Sequence, residues 1–205
     1  MSNTSVTRLV YGECTFVPNS ENQYKCWKNK ELAGTEIHEM LSLMLANYDF
    51  DFKTHLRYNT LTYPIWWYYR RLIYVTNLLI HLNYKMWRSE VEMVVYYQDK
   101  KLHGVCDMVI ESDEHIYIIE WKTSFHVDKL RGYKKQVNFY ANMYNVVVSP
   151  TKPIICMVVC LTETPRRYTF PIIVLEGMYP VEGQDIILIG KGGIDPDCEA
   201  LMSLV

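Results

Sequence analysis

Residues Gly104–Ser124 read GVCDMVIESDEHIYIIEWKTS, and the fold turns on how this stretch doubles back on itself. Val105–Ile110 and His115–Lys122 are runs of β-branched, aromatic and apolar residues, and the ESDE of Glu111–Glu114 between them has turn composition. The stretch therefore predicts an antiparallel hairpin. With the turn centred between Ser112 and Asp113, Asp107 falls opposite Ile118, and alternation puts Asp107, Glu120 and Lys122 on one face. Asp107 and Glu120 are then diagonal neighbours, with Cα atoms roughly 7–8 Å apart and side chains able to converge.

Two carboxylates and a lysine so placed suit a hard divalent cation. Mg²⁺ and Mn²⁺ prefer oxygen ligands and take one or two protein carboxylates together with water and substrate phosphate oxygens. Such an ion polarises a phosphodiester and acidifies a bound water, while a compact ammonium such as that of Lys122 orients the water or offsets developing charge. The same spacing also suits a solvated ion pair between Glu120 and Lys122. Ile116 and Ile118 share the face, which favours a partly buried Glu120 that needs a partner or a metal.

The chain has 205 residues, 49% hydrophobic and 21% charged, which is enough for one substantial core, so a single domain over 1–205 is expected. A formal charge of −2 says nothing in favour of a general nucleic-acid-coating protein, which would normally be basic, while an enzyme gripping a few phosphates can stay near neutral. Lys129, Arg131, Lys134, Lys135, Arg166 and Arg167 are available for such contacts. The six cysteines, at 14, 26, 106, 156, 160 and 198, are scattered, and the polar start MSNTSVTRLV lacks the apolar stretch of a signal peptide. Reduced thiols in an intracellular protein, nuclear or cytoplasmic, are the expectation. Pro64–Leu82 is the one apolar run of near-membrane length, but Arg70 and Arg71 sit near its middle, so it reads as a core helix, with no membrane role.

Read outward, residues 30–47 and 127–145 carry helical spacing. Ser89–Tyr97, 153–161 and 168–175 read as strands, with a turn-like TETPRR between the last two. The order predicts an α/β fold, a mixed central β-sheet flanked by helices, with its core over about 31–175 and a Gly- and Pro-rich C-terminal extension over 176–205.

Three features accompany the hairpin. His38 lies on the first helical segment, where a histidine is either a satisfied polar residue or a ligand. Glu90 and Glu92 begin the strand before the hairpin and either face solvent or reach the carboxylates. Gln136 and Tyr140 are four apart on the later helix, where an amide and a phenol could touch a phosphate or a base, or Tyr140 could belong to the core stripe with Gln136 beside it.

The series His38, Glu90, Gly104-x-x-Asp107, Glu120-Trp121-Lys122-Thr123-Ser124 and Gln136-x-x-x-Tyr140 resembles the PD-(D/E)XK nuclease superfamily, and within it the RecB-like branch, over roughly residues 34–145. The resemblance implies a restriction-endonuclease-like core, with His38, Asp107 and Glu120 as metal ligands. It further implies Lys122 as the catalytic lysine, Gln136 and Tyr140 as substrate contacts, and Glu90 as an additional acidic position. Cys106 stands where the superfamily has its proline. Cys156, Cys160 and Cys198 do not form the tight trailing group that holds an iron–sulfur cluster in many relatives, so none is expected. There is no phosphate-cradling Gly-Lys loop of a motor, so any helicase or recombination partner is a separate protein.

The expectation is a deoxyribonuclease using Mg²⁺ or Mn²⁺ on single-stranded DNA or duplex ends, in a compact form that suits a viral or mobile-element origin. The alternatives are an RNA endonuclease of the cap-snatching kind and a nuclease-fold protein that binds nucleic acid without cutting.

Overall fold

The computed structural model describes residues 3–11, 20–46, 54, 61–97, 100–123, 127–161, 172–175, 181–182 and 185–186. The chain, expected as one domain, divides into two compact units: residues 14–84, and residues 1–13 together with 85–205.

The first unit holds two long helices, α2 (Glu21–Ala46) and α3 (Ile65–His81). On α2 the buried residues Ala33, Ile37, Met40, Leu41 and Leu45 recur every three or four positions, the stripe expected of one covered face. The helix begins nine residues earlier than the apolar period suggests. Its first turns are polar and carry surface ion pairs instead, Lys25 to Glu21 at 2.7 Å and Lys28 to Glu31 at 2.8 Å. Pro64 is the N-cap residue of α3, its carbonyl accepting from the Trp67 N–H at 2.9 Å. The two helices are tied by Glu36, whose carboxylate accepts from the Tyr68 hydroxyl and from the backbone and hydroxyl of Thr62. Arg71 is buried, with its guanidinium stacked 3.5 Å over the Trp67 ring and donating to the Trp67 carbonyl at 2.8 Å. No described helix is long and apolar enough to cross a membrane.

The second unit is the α/β body that the strand and helix order predicts. Its elements are β1 (Asn3–Ser5), α1 (Val6–Tyr11), β2 (Met86–Tyr97), β3 (Lys100–Glu111), β4 (Ile116–Lys122), a 3-10 turn (Val127–Lys129), α4 (Leu130–Val148), β5 (Ile154–Cys160) and β6 (Ile172–Leu175). They form a six-stranded mixed sheet. Along one edge β3 pairs antiparallel with β2, while its other edge is shared, parallel with β1 at residues 101–103 and antiparallel with β4 at 108–111. Next come β5, parallel to β4, and β6, antiparallel to β5. Two-residue strands at Val181–Glu182 and Asp185–Ile186 pair separately, and most of the C-terminal extension, like Arg166 and Arg167, lies outside the described residues.

Helix α4 is the β4-to-β5 crossover and packs on β2 to β5. Leu130, Tyr133, Val137, Tyr140, Ala141 and Tyr144 supply its buried face, joining Ile116, Ile118, Ile154, Cys156 and Val158 from the sheet. The helix stops at Ser149, which turns left-handed (φ 49°) and donates its N–H to the Asn145 carbonyl at 2.9 Å.

The hairpin forms, but in a different register from the one expected. Met108 pairs with Ile119 and Glu111 with Ile116, so continuing the count sets Asp107 level with Glu120, not with Ile118. The cause is Ser112: its N–H donates to the His115 carbonyl at 2.9 Å, and its hydroxyl accepts from the N–H groups of Glu114 and His115. That centres the turn between Asp113 and Glu114, one residue later than the centre between Ser112 and Asp113 that was expected. The shift is two positions along the opposing strand, so it does not by itself turn a side chain to the other face.

Candidate metal centre at the fork between β3 and β4

Strands β3 and β4 pair over four residues and then part. Past Ile119, β4 continues alongside β5, with Glu120 level with Val158 and Lys122 with Cys160, and no longer pairs with β3. Asp107 stands at the opening of this fork and bridges it, its Oδ2 accepting the Trp121 N–H at 2.7 Å. A carboxylate that takes a backbone donor from the neighbouring strand is fixed in direction, which a ligand needs.

The pleat of β3 also changes here. Strict alternation puts Cys106 and Val109 on opposite faces, yet both belong to the core beneath α4. On β2 the ladder pairs Ser89 with Met108 and Val91 with Cys106 but passes over Glu90 and Asp107, and Glu90 is left-handed, with φ 49°. A non-glycine residue in that conformation costs about 1–3 kcal/mol. The kink leaves Glu90 exposed, with one of its carboxylate oxygens within 4.8 Å of one from Asp107. Glu92 goes elsewhere, 2.9 Å from the His103 ring.

Behind Asp107, the Cys106 thiol donates to the carbonyls of Met108 at 3.2 Å and Ile119 at 3.6 Å, one on each side of the fork. Burial, then the Glu120 and Asp107 charges, push that thiol well up. Sequence reasoning gave Cys106 no role beyond a replaced proline. Its signal was position alone, one residue before the carboxylate. Cys156, in the same core, is pushed up to about 12 by burial. Cys14 and Cys198 lie outside the described residues.

On β4, Glu120 is 3% exposed, as the neighbouring Ile116 and Ile118 suggested. Its Oε1 accepts from Lys122 Nζ at 2.5 Å, so the ion pair offered as the alternative to a metal is present, but buried rather than solvated. The ammonium also donates to Gln136 Oε1 at 3.0 Å and lies 5.3 Å from the centre of the Tyr133 ring. Gln136 Nε2 donates in turn to the Tyr140 hydroxyl at 3.1 Å. The chain is directional: lysine can only donate, so the amide must present oxygen to it and N–H to the phenol. Burial, then Glu120, push the Tyr140 phenol far up, keeping it neutral.

The structure thus gathers Glu90, Asp107, Glu120, Lys122, Gln136 and Tyr140 in one unit. His38 stands half-buried on α2, in the other unit. Asp107 and Glu90 bring carboxylate oxygens within 4.8 Å of each other, with the buried Glu120 level with Asp107 on the next strand, and carboxylate oxygens suit a hard divalent ion.

No protein-family model matches the sequence. The chain is similar to the CRISPR-associated exonuclease Cas4 of Francisella tularensis subsp. novicida, 36% identical over 75 residues. That match covers 37% of this chain and 36% of the relative's length. Among solved structures it is similar to a candidate exonuclease from Eubacterium rectale, with TM-score 0.48 and 12% identity, covering 83% of this chain and 71% of that one. It is also similar to the protein SSO0001, with TM-score 0.35 and 18% identity, covering 57% and 52% of the two chains. Neither structural likeness bears on activity.

Proposed function

We propose that this protein is a metal-dependent nuclease of the PD-(D/E)XK kind, RecB-like, acting on DNA at ends or on single strands. The observation that carries this reading is the fork itself: Asp107 pinned to the β4 backbone at 2.7 Å, level with a buried Glu120 whose carboxylate meets Lys122 at 2.5 Å. Sequence similarity to an exonuclease supports the same direction.

Asp107 and Glu120 offer oxygens to Mg²⁺ or Mn²⁺, with Glu90 beside Asp107 as a further donor. The family resemblance adds His38 to the ligand set. A divalent ion held there supplies Lewis acidity to a phosphodiester and acidifies water. Lys122 contributes a fixed positive charge, held by Glu120 and Gln136, toward the attacking water or the developing negative charge on phosphate. Lys129, the N-cap residue of α4, and Arg131 in its first turn are exposed, and Lys134 and Lys135 follow half-buried, a basic approach suited to a strand's phosphates.

Incubating the protein with labelled single- and double-stranded DNA and RNA, with and without Mn²⁺, tests this. DNA cleavage that requires the ion and falls by about 10²-fold or more in both Glu120→Ala and Lys122→Ala is expected. Cleavage that survives either substitution removes the site assignment. Cleavage of RNA alone transfers the protein to the RNA endonuclease class, and binding without cleavage to the inactive class.

A further inference from the structure

We propose that Gly104, Tyr140 and Gln136 form a positioning train for Lys122, so that Gln136 and Tyr140 act through the lysine and not by touching substrate. This rests on Lys122 being the lysine of the nuclease site.

The family resemblance would place the amide and the phenol against a nucleic-acid strand. Here they are 5% and 3% exposed, and their polar atoms face inward along one hydrogen-bonded line. The line runs from Lys122 Nζ to Gln136 Oε1 and from Gln136 Nε2 to the Tyr140 hydroxyl. Four residues apart on α4, the two side chains stack one turn above the other, so the helix fixes their separation.

The far end of the line is set by a missing side chain. A Cβ on Gly104 would lie 2.8 Å from Tyr140 Cε1 and 2.9 Å from Val6 Cγ2, closer than real contacts allow. The ring rests directly on the β3 backbone, with Val6 of α1 beside it. An isolated glycine inside a strand marks such a close approach, and here it decides where the phenol can sit. The phenol orients the amide, and the amide, with Glu120 and the Tyr133 ring, encloses the ammonium. Gly104 thereby governs a residue it does not touch. The glycine three positions before Asp107 serves the lysine, whereas Asp107 itself serves the metal.

The test compares Gln136→Met, Tyr140→Phe and Gly104→Ala with wild type in three readouts: the acetylation rate of Lys122 by mass-spectrometric footprinting, affinity for labelled single-stranded DNA in Ca²⁺, and single-turnover cleavage in Mg²⁺. Positioning predicts that Lys122 acetylation rises several-fold in all three variants, that cleavage falls roughly 10–100-fold in Gln136→Met and less in Gly104→Ala, and that DNA affinity stays within about twofold. Gln136→Glu, which restores an acceptor for the ammonium, is expected to return Lys122 acetylation toward wild type. If acetylation is unchanged in Gln136→Met and Tyr140→Phe, or if both lose DNA affinity at unaltered cleavage rate, the train is overturned and the two are substrate contacts. Should Gly104→Ala fail to fold, Tyr140→Phe decides, because it keeps the ring and removes only the acceptor. Should wild type cleave nothing, the nuclease reading fails while the footprint still settles the train.

Discussion

The same two strands behave in opposite ways at their two ends. Over Met108–Glu111 and Ile116–Ile119, β3 and β4 are fully paired, and Met108, Ile110, Ile118 and Ile119 are completely buried. A few residues on, at Asp107 and Glu120–Lys122, the ladder opens and every side chain of interest is polar. Where the backbone satisfies itself, side chains need only fill space. Where it does not, side chains take over its hydrogen bonds: Asp107 receives the Trp121 N–H, and Cys106 reaches the Ile119 carbonyl. Buried charge is tolerated at the opening because polar partners already converge there.

That contrast can be broken by substitution. The largest change in stability is expected at the closed end. Ile118→Ala removes a fully buried side chain from the sheet and is expected to cost about 2–5 kcal/mol in denaturant unfolding, with cleavage per folded molecule unaltered. A matching loss of specific activity would mean the two ends are not separable. At the open end, Asp107→Ala should cost less, about 1–3 kcal/mol, through the stranded Trp121 N–H, while abolishing metal-dependent cleavage. Asp107→Asn sharpens this, because the amide oxygen still accepts that N–H. Near-native unfolding free energy with cleavage lost is the expected pairing, and equal instability of the two variants would refute the bridging role. The smallest effect belongs to the turn. Ser112→Ala loses the hydroxyl that receives two N–H groups and should destabilise by about 1 kcal/mol, leaving cleavage unaffected.

Much of this was legible in the residues. The stripe from Leu130 to Tyr144 located α4, Pro64 marked the start of α3, and the apolar runs around ESDE gave the hairpin. Three things were not legible. The register depended on Ser112 closing onto His115, which moves the turn centre by one residue, a local competition that composition does not resolve. The pleat reversal at Asp107 comes from Glu90 adopting a left-handed conformation that nothing in a glutamate announces. The close seat of the Tyr140 ring on β3 depends on Gly104 having no side chain, a contact between residues 36 positions apart in the chain. The first turns of α2 were missed because ENQYKCWKNK carries no apolar period.

The sulfur in this core has a practical consequence. Burial pushes the Cys156 thiol up to about 12 and the Cys106 thiol in the same direction, which disfavours the thiolate in both. Oxidants and alkylating reagents act on thiolates they can reach, so both groups stay inert while the sheet is closed. Each becomes reactive only when the strands separate. Alkylation at these two positions, read peptide by peptide over time, therefore acts as a clock for opening of the sheet, and the difference between them would time the fork against the strand beside it.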